Sequence, residues 1–269
     1  MDKVLPAHRT LTVSILIPSY NEAATLPCLL ARVAAAPIAG ATREIVVVDD
    51  GSTDGSADLI RHFADAHTTP SCRIIVAAHP ANAGKGSALK TGLARTTGDI
   101  VIIQDADLEY DPADYAALLR PIADGLAPAV YGSRWLNRHF RQNLPGHWRY
   151  VAGNWIVTRA ANLLFDARVT DQCTGYKVMR GDIARGLALQ CAGFEVCSEI
   201  TARLRRGGHQ IWEIPIDYRP RSVADGKKIR AIDGLRAIWT LARLWARLPA
   251  STTASTERGR EPLARPASR

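Results

Sequence analysis

An alternation along the first hundred residues constrains the fold more than any other feature. Four apolar runs rich in β-branched residues, "LTVSILIP" (11–18), "EIVVVDD" (44–50), "RIIVAA" (73–78) and "DIVIIQD" (99–105), are separated by amphipathic stretches near 22–36, 54–67, 85–96 and 112–124. Strands that are apolar on both faces must be covered on both faces, so this pattern predicts a mostly parallel sheet between two layers of helices. Ligands of such sheets sit beyond the carboxyl ends of the strands. Here those ends read "PSYNE", "DDGSTDGS", "HPANAGKGS" and "DADLE", so polar and glycine residues collect along one edge.

The second half is less regular. It holds "AVYGSRW" (129–135), a helical pattern over 147–165, "DQCTGYKVM" (171–179), a helix near 195–206, a strand in "HQIWEIPIDY" (209–218) and a helix over 229–248. Residues 249–269 are polar and poor in apolar side chains, the composition of disorder. A chain of 269 residues with 47% hydrophobic residues suits one main core. No apolar stretch reaches the roughly 18 residues needed to span a bilayer, and no cleavable leader is legible at the start; the expectation is a cytoplasmic or peripheral protein. Five cysteines without a C-x-x-C pair read as reduced, mostly buried thiols. Of the net charge of +8, +7 falls in 226–269, which leaves the body nearly neutral and argues against nucleic-acid binding.

The chemistry concentrates in "IIQDADLEYDP" (102–112), where Asp105, Asp107, Glu109 and Asp111 follow a buried strand. Crowded carboxylates raise one another's pKa unless a cation or a set of donors compensates. Asp105 and Asp107 can share a hard divalent cation, which also takes phosphate oxygens. Two other nucleotide sites are excluded. "PSYNEA" stands where a G-x-G-x-x-G would be needed, and "HPANAGKGS" has His79 where a phosphate loop needs its first glycine and Gly86 after Lys85. An isolated D-x-D is equally compatible with a turn after a strand.

The order and spacing of all four strand ends resemble the family 2 glycosyltransferases of GT-A fold, most of all the dolichol-phosphate mannosyltransferases and their bacterial polyprenyl-phosphate relatives, over about residues 11–230. The resemblance implies an α/β GT-A domain over 1–225, with a Rossmann-like nucleotide-sugar-binding half (11–110), an acceptor half (111–225) and a mixed sheet covered by helices on both faces. A basic amphipathic helix within 226–248 and a disordered tail (249–269) would follow. By the same resemblance Pro18, Tyr20, Glu22, Val48 and Asp50 line the base and ribose pocket, Lys85 holds the sugar diphosphate, and Asp105, Ala106 and Asp107 face the donor. Asp105 and Asp107 would bind Mg2+ or Mn2+; Glu109 would reach the same metal or cap the helix after Pro112.

"YGSRW" resembles the family's G-S-R segment, which makes Arg134 a phosphate ligand, since guanidinium pairs bidentately with phosphate oxygens. Arg149 is the expected second phosphate arginine, with Arg138 and Arg141 nearby. Asp107, Arg134 and Arg149 are thus the implied catalytic set. "DQCTGYKVMRG" resembles the D-x-x-[ST]-G-[FY] turn that would place Asp171 and Thr174 at the acceptor rim. The basic loop "YRPRSVADGKKI" (218–229) offers Arg221, Lys227 and Lys228 to a phosphate.

On a helix over 229–248, Arg236, Arg243 and Arg247 share a polar stripe, while Ile232, Leu235, Ile238, Trp239, Leu241 and Trp245 fill the rest. That pattern suits an interfacial helix on an anionic membrane, or a helix packed on protein. The expected activity is metal-dependent, inverting transfer of a hexose from a nucleoside diphosphate sugar to polyprenyl phosphate, with the membrane reached through this helix or a membrane-protein partner. The alternatives are transfer to a hydroxyl, with Glu195, Glu199 or Asp171 as base, and an inactive nucleotide-sugar-binding module.

Overall fold

The computed structural model describes residues 10–38, 40–142, 148–221, 228 and 231–248, with backbone alone at 142, 148–150 and 231. Seven strands form one sheet: β1 (Leu11–Ser19), β2 (Ala41–Asp49), β3 (Cys72–Ala78), β4 (Ile100–Ile103), β5 (Ala129–Ser133), β6 (Lys177–Arg180) and β7 (Ile211–Pro215). Their order is β3-β2-β1-β4-β6-β5-β7. The first four run parallel, β6 is antiparallel to both β4 and β5, and β7 returns parallel to β5. The sheet is therefore mixed, and it is continuous across the two halves expected from the sequence.

The apolar runs form strands because both of their faces are used. Along β1, Val13, Ile15 and Ile17 enter one core while Leu16 enters the other; Ile45 and Val47 oppose Val46 and Val48 in β2 in the same way. Each such fully buried aliphatic side chain contributes about 1.5–3 kcal/mol of transfer free energy. One face is covered by α1 (Leu26–Ala35), α2 (Ser56–His67) and α4 (Tyr115–Ala123). The other is covered by α3 (Lys85–Leu93), α6 (Trp148–Phe165), α7 (Gly181–Gly186), α8 (Val196–Arg206) and α9 (Ala231–Arg247). A short α5 (Arg138–Gln142) lies between β5 and α6 and leaves Arg138 and Arg141 exposed.

α9 combines the two environments proposed for it. Ala237, Thr240, Leu241 and Leu244 are buried where the helix packs on α6 and α8, whereas Ile232, Leu235, Trp239 and Trp245 face outward. Leu241, expected on the interfacial side, belongs to the core. The expected tail, 249–269, lies outside the described residues.

Candidate active site

Since β1 to β4 point the same way, the loops after Ser19, Asp49, Ala78 and Ile103 emerge together. The acidic loop after β4 is anchored from below. Gln104 is fully buried; its side-chain N–H donates to the Asp105 carbonyl at 2.9 Å, and its oxygen accepts from the hydroxyls of Tyr115 and Tyr176, each at 2.7 Å. The Tyr110 hydroxyl accepts the Gly175 N–H at 2.8 Å. A Cβ at position 175 would press on the Asp105 carboxylate and the Tyr110 ring, so a side chain there would displace one of them.

Two cations hold the two central carboxylates. Lys85 Nζ lies 2.5 Å from Asp105 Oδ1, and Arg221 Nη2 lies 3.2 Å from Asp107 Oδ2. Burial works against the Lys85 charge, but the electrostatic pull led by Asp105 outweighs it and holds the ammonium well above its ordinary range. Burial also pushes the Asp107 carboxyl up, with repulsion from Asp105 and Glu109, to about 7 despite Arg221. Among the described residues no three His, Cys, Asp or Glu side chains form a cage for a metal. Asp105 and Asp107, mutually repelling and each 18% exposed, instead suit a hard divalent cation that takes its remaining oxygens from outside the protein.

The basic segment crosses this edge. Arg221 pairs bidentately with Glu22, at 3.0 and 3.2 Å, and Lys228 Nζ reaches Glu22 Oε1 at 2.7 Å and the Tyr20 carbonyl. Burial raises the Glu22 pKa, but the hydrogen bonds and charges of Arg221 and Lys228 prevail and hold it below the usual carboxylate range. Pro18 and Tyr20 are half-buried at the same edge.

Arg134 lies across a tyrosine from that cluster. Its Nε and Nη2 donate to Asp171 Oδ2 and Oδ1 at 2.6 and 2.7 Å, and its guanidinium stands 4.8 Å from the centroid of Tyr218. The Tyr218 hydroxyl donates to Glu109 Oε2 at 2.7 Å, and the Arg221 N–H donates to Glu109 Oε1 at 2.7 Å. Tyr218 and Glu109 thus tie Arg134 to the Arg221 segment.

Several expectations need correction. Glu109 spends both oxygens on the 218–221 segment, and the turn after it is capped by Asp111, which accepts from Ala113 N–H at 3.0 Å. Val48 and Ala106, expected to face the donor, are core side chains. Asp50 is buried and binds its own chain: it accepts from the N–H groups of Ala83 and Gly84 at 3.0 and 2.8 Å, from Asn82 at 2.9 Å, and bonds His79 at 2.6 Å. It shapes the loop that presents Lys85, a role legible only once the loop is folded. Gly84 and Gly86, which flank Lys85, lie directly against the backbone of Cys191 and Ala192. Asp171 and Thr174 are fully buried, beneath the rim and not on it. Arg221 and Lys228, expected at the acceptor phosphate, both pair with Glu22, and Arg221 also with Asp107. The Arg149 side chain and Lys227 lie outside the described residues. Sequence reading assigned no role to Gln104, Tyr110, Tyr176 or Tyr218, and His79 counted there only against a phosphate loop; the tyrosines beside "QDAD" and "DQCTG" were the available signal.

Glycosyl transferase family 2 matches this chain over residues 14–187. An undecaprenyl-phosphate mannosyltransferase of Micrococcus luteus is 29% identical over 254 residues, covering 90% of this chain and 98% of its own. A dolichol-phosphate mannosyltransferase of Pyrococcus furiosus is 26% identical over 215 residues; the match takes in 80% of this chain but only 58% of that longer one. Among solved structures, glucosyl-3-phosphoglycerate synthase of Mycobacterium tuberculosis superposes with a TM-score of 0.64 at 22% identity, covering 90% of this chain and 82% of that one. A mannosyltransferase of Pyrobaculum calidifontis, solved with GDP-Man and Mn2+, gives 0.55 at 20% identity, with 90% and 72% covered. These likenesses establish the α/β fold as GT-A-like. Because the family match runs from within β1 to just past α7 and so contains the whole acidic edge, the chain belongs to glycosyl transferase family 2 and is a glycosyltransferase.

Proposed function

We propose that this enzyme transfers a hexose from a nucleoside diphosphate sugar, of the GDP-mannose or UDP-glucose type, to polyprenyl phosphate with inversion at the anomeric carbon. The observation that carries the reading is the charge arrangement at the sheet edge. Asp105 and Asp107 are each met by one cation, and Arg134 joins the same cluster through Tyr218 and Glu109. The names of the Micrococcus and Pyrococcus relatives support the acceptor, and the ligands of the Pyrobaculum structure support donor and metal.

Mg2+ or Mn2+ held by Asp105 and Asp107 would neutralise charge on the departing diphosphate. Lys85 holds the diphosphate from the β3 side, and Pro18 and Tyr20 border the nucleoside. Arg221 exchanges Asp107 for phosphate oxygens when the donor enters. An acceptor monophosphate arrives already ionised, so its attack requires placement and charge compensation more than a base. Arg134 supplies both: a phosphate oxygen forms the bond to the anomeric carbon as the bond to the diphosphate breaks, and the electron pair leaves with the nucleoside diphosphate.

A second reading, transfer to a hydroxyl, is favoured by one atom. Oε2 of Glu195 is buried without a hydrogen-bond partner among the described residues, as a waiting base would be. The other two candidates are engaged: Glu199 accepts from Gln190, Cys191 and Arg203, and Asp171 from Arg134 and Asn154.

Among the described residues no helix is long and apolar enough to cross a membrane. By this reading the enzyme meets an anionic, cytoplasmic membrane surface through the outward face of α9, where Trp239 is 69% exposed and Arg236 and Arg247 are exposed, whereas Arg243 is half-buried and turns toward Cys191 Sγ at 3.6 Å. Calorimetric titration of GDP, UDP, GDP-mannose and UDP-glucose with and without Mn2+ tests the donor site. Addition of a short-chain polyprenyl phosphate, followed by mass spectrometry of the products, tests the acceptor. Metal-dependent binding and a sugar-phosphate lipid are expected. Donor binding with product only on a hydroxyl acceptor would overturn the lipid reading in favour of the second. Asp107→Asn should abolish Mn2+-dependent donor binding with the fold intact; unchanged binding would refute the metal pair.

A further inference from the structure

At the reactive edge Lys85, Arg134, Arg221 and Lys228 each meet a carboxylate. Lys177, the first residue of β6, does not. It is 1% exposed, and among the described residues no carboxylate pairs with it. Its Nζ donates to the carbonyls of Gln172 and Thr174, each at 3.0 Å, and stands 4.0 Å from the centroid of the Tyr131 ring. An ammonium has three protons and no lone pair, and two carbonyls with one aromatic face use all three. Burial works against the charge and draws the Lys177 pKa below the ordinary lysine value. A cation so placed is costly to the fold, and an apolar side chain of the same length would fill the space without that cost.

What the charge holds is the turn 171–175. The start of the turn is fixed from β7, where Glu213 accepts the N–H groups of Thr170 and Asp171 at 2.7 and 3.0 Å. Its middle hangs on Lys177 and on the Gln172 side chain, which donates to Ser198 Oγ at 3.2 Å and accepts from Thr201 Oγ1 at 2.6 Å, both on α8. The two ends of the turn touch the reactive edge. Asp171 takes the Arg134 guanidinium, and Gly175 lies so close to Asp105 that an added Cβ would stand 2.3 Å from its Oδ2. The carbonyls that Lys177 grips lie between these two contacts.

We propose that Lys177 is a positioning residue for the transfer: by gripping the Gln172 and Thr174 carbonyls it sets the separation of Arg134 from Asp105. The assignment rests on the reading above, in which these two residues serve the acceptor phosphate and the donor metal, and adds what fixes their spacing. Lys177 acts through the turn and not on substrate. Without its ammonium two buried carbonyls lose their donor and turn toward other partners, carrying Asp171 and Gly175 with them. A misplacement of about 1 Å between reacting groups costs on the order of 100-fold in rate, so a small shift of the turn is enough.

Two variants test it. Lys177→Met keeps the length of the side chain and removes the donors. The expected results are a fall in kcat of at least about tenfold with polyprenyl phosphate, a donor Kd in Mn2+ within about twofold of wild type because Asp105 keeps Lys85, and faster hydrogen–deuterium exchange confined to the peptide 171–176. Unchanged kcat or unchanged exchange would overturn the assignment, as would a loss of donor binding in step with kcat, which a general disturbance of the fold produces. Lys177→Ala separates charge from bulk: propylammonium should restore kcat severalfold, and 1-propanol, similar in size but uncharged, should not. Equal rescue by both would show that Lys177 only fills space and would overturn the assignment. If the wild type forms no lipid product, the acceptor reading fails by itself; turnover on the hydroxyl acceptor then takes its place in the same comparison, and an unchanged kcat of Lys177→Met there overturns the positioning role.

Discussion

Replacing Arg134 by alanine should destabilise the protein before it informs on catalysis. Arg134 is 13% exposed and Asp171 is fully buried, and the two share hydrogen bonds of 2.6 and 2.7 Å. In the variant, Asp171 keeps the N–H of residue 134 at 3.1 Å and the Asn154 amide at 3.0 Å as donors. Removing one partner of a buried pair costs about 3–5 kcal/mol, because the surviving charge stays desolvated. The two remaining donors place Arg134→Ala near the lower limit, about 3 kcal/mol, or a fall in Tm of roughly 10 °C. The pH dependence carries the diagnosis. In the wild type, burial raises the Asp171 pKa but the charge and hydrogen bonds of Arg134 outweigh it, and the pKa is lowered. The pair's contribution is thus complete above the unfolded carboxylate value and lost as pH falls through the lower folded value. In the variant burial acts without Arg134, the folded pKa rises above the unfolded one, and the stability deficit shrinks as pH falls. Urea unfolding at pH 7.5 and 5.5 reads both effects. Arg134→Ala with Asp171→Asn should recover most of the stability but no lipid-phosphate transfer, which separates structural loss from chemical loss. A deficit below about 1 kcal/mol, the size of an exposed pair, with no dependence on pH, would refute the reasoning.

Two further expectations concern groups away from the chemistry. The Asp114 carboxyl is pushed up to about 6, chiefly by burial, against the Asp217 N–H at 3.2 Å. A raised folded pKa makes Asp114 a cost that is absent below the unfolded value and grows as pH rises through 6. Asp114→Asn should therefore raise the urea midpoint at pH 7 and match the wild type at pH 4, and an equal gain at both would contradict the burial argument. Cys173 and Cys191 are pushed up to about 12 and 11, mainly by burial, whereas Cys28 is exposed on α1. Iodoacetamide at pH 8 should alkylate Cys28 first, as followed by peptide mass spectrometry; early modification of Cys173 would show that its site opens.

The amino-acid sequence by itself determined the sandwich and the location of its chemistry. Runs such as "EIVVVDD" are apolar on both faces, and a strand of that kind satisfies its backbone and its side chains only inside a covered parallel sheet. Because the runs end in acids and glycines, the reactive edge was legible as well, and Asp105, Lys85 and Asp107 are found there together. The tertiary structure alone decided which polar groups remain available. Asp50, Glu109 and Asp171 look alike in sequence to Asp107, yet loops up to 112 residues distant in the chain supply the N–H groups, hydroxyls and guanidinium that engage them. The insertion of β6 between β4 and β5, and the division of α9 into a core face and an outward face, depend in the same way on distant segments. Local periodicity encodes how a segment buries its own apolar surface; which donor satisfies a buried carboxylate is settled by contacts between remote residues, and these exist only in the folded chain.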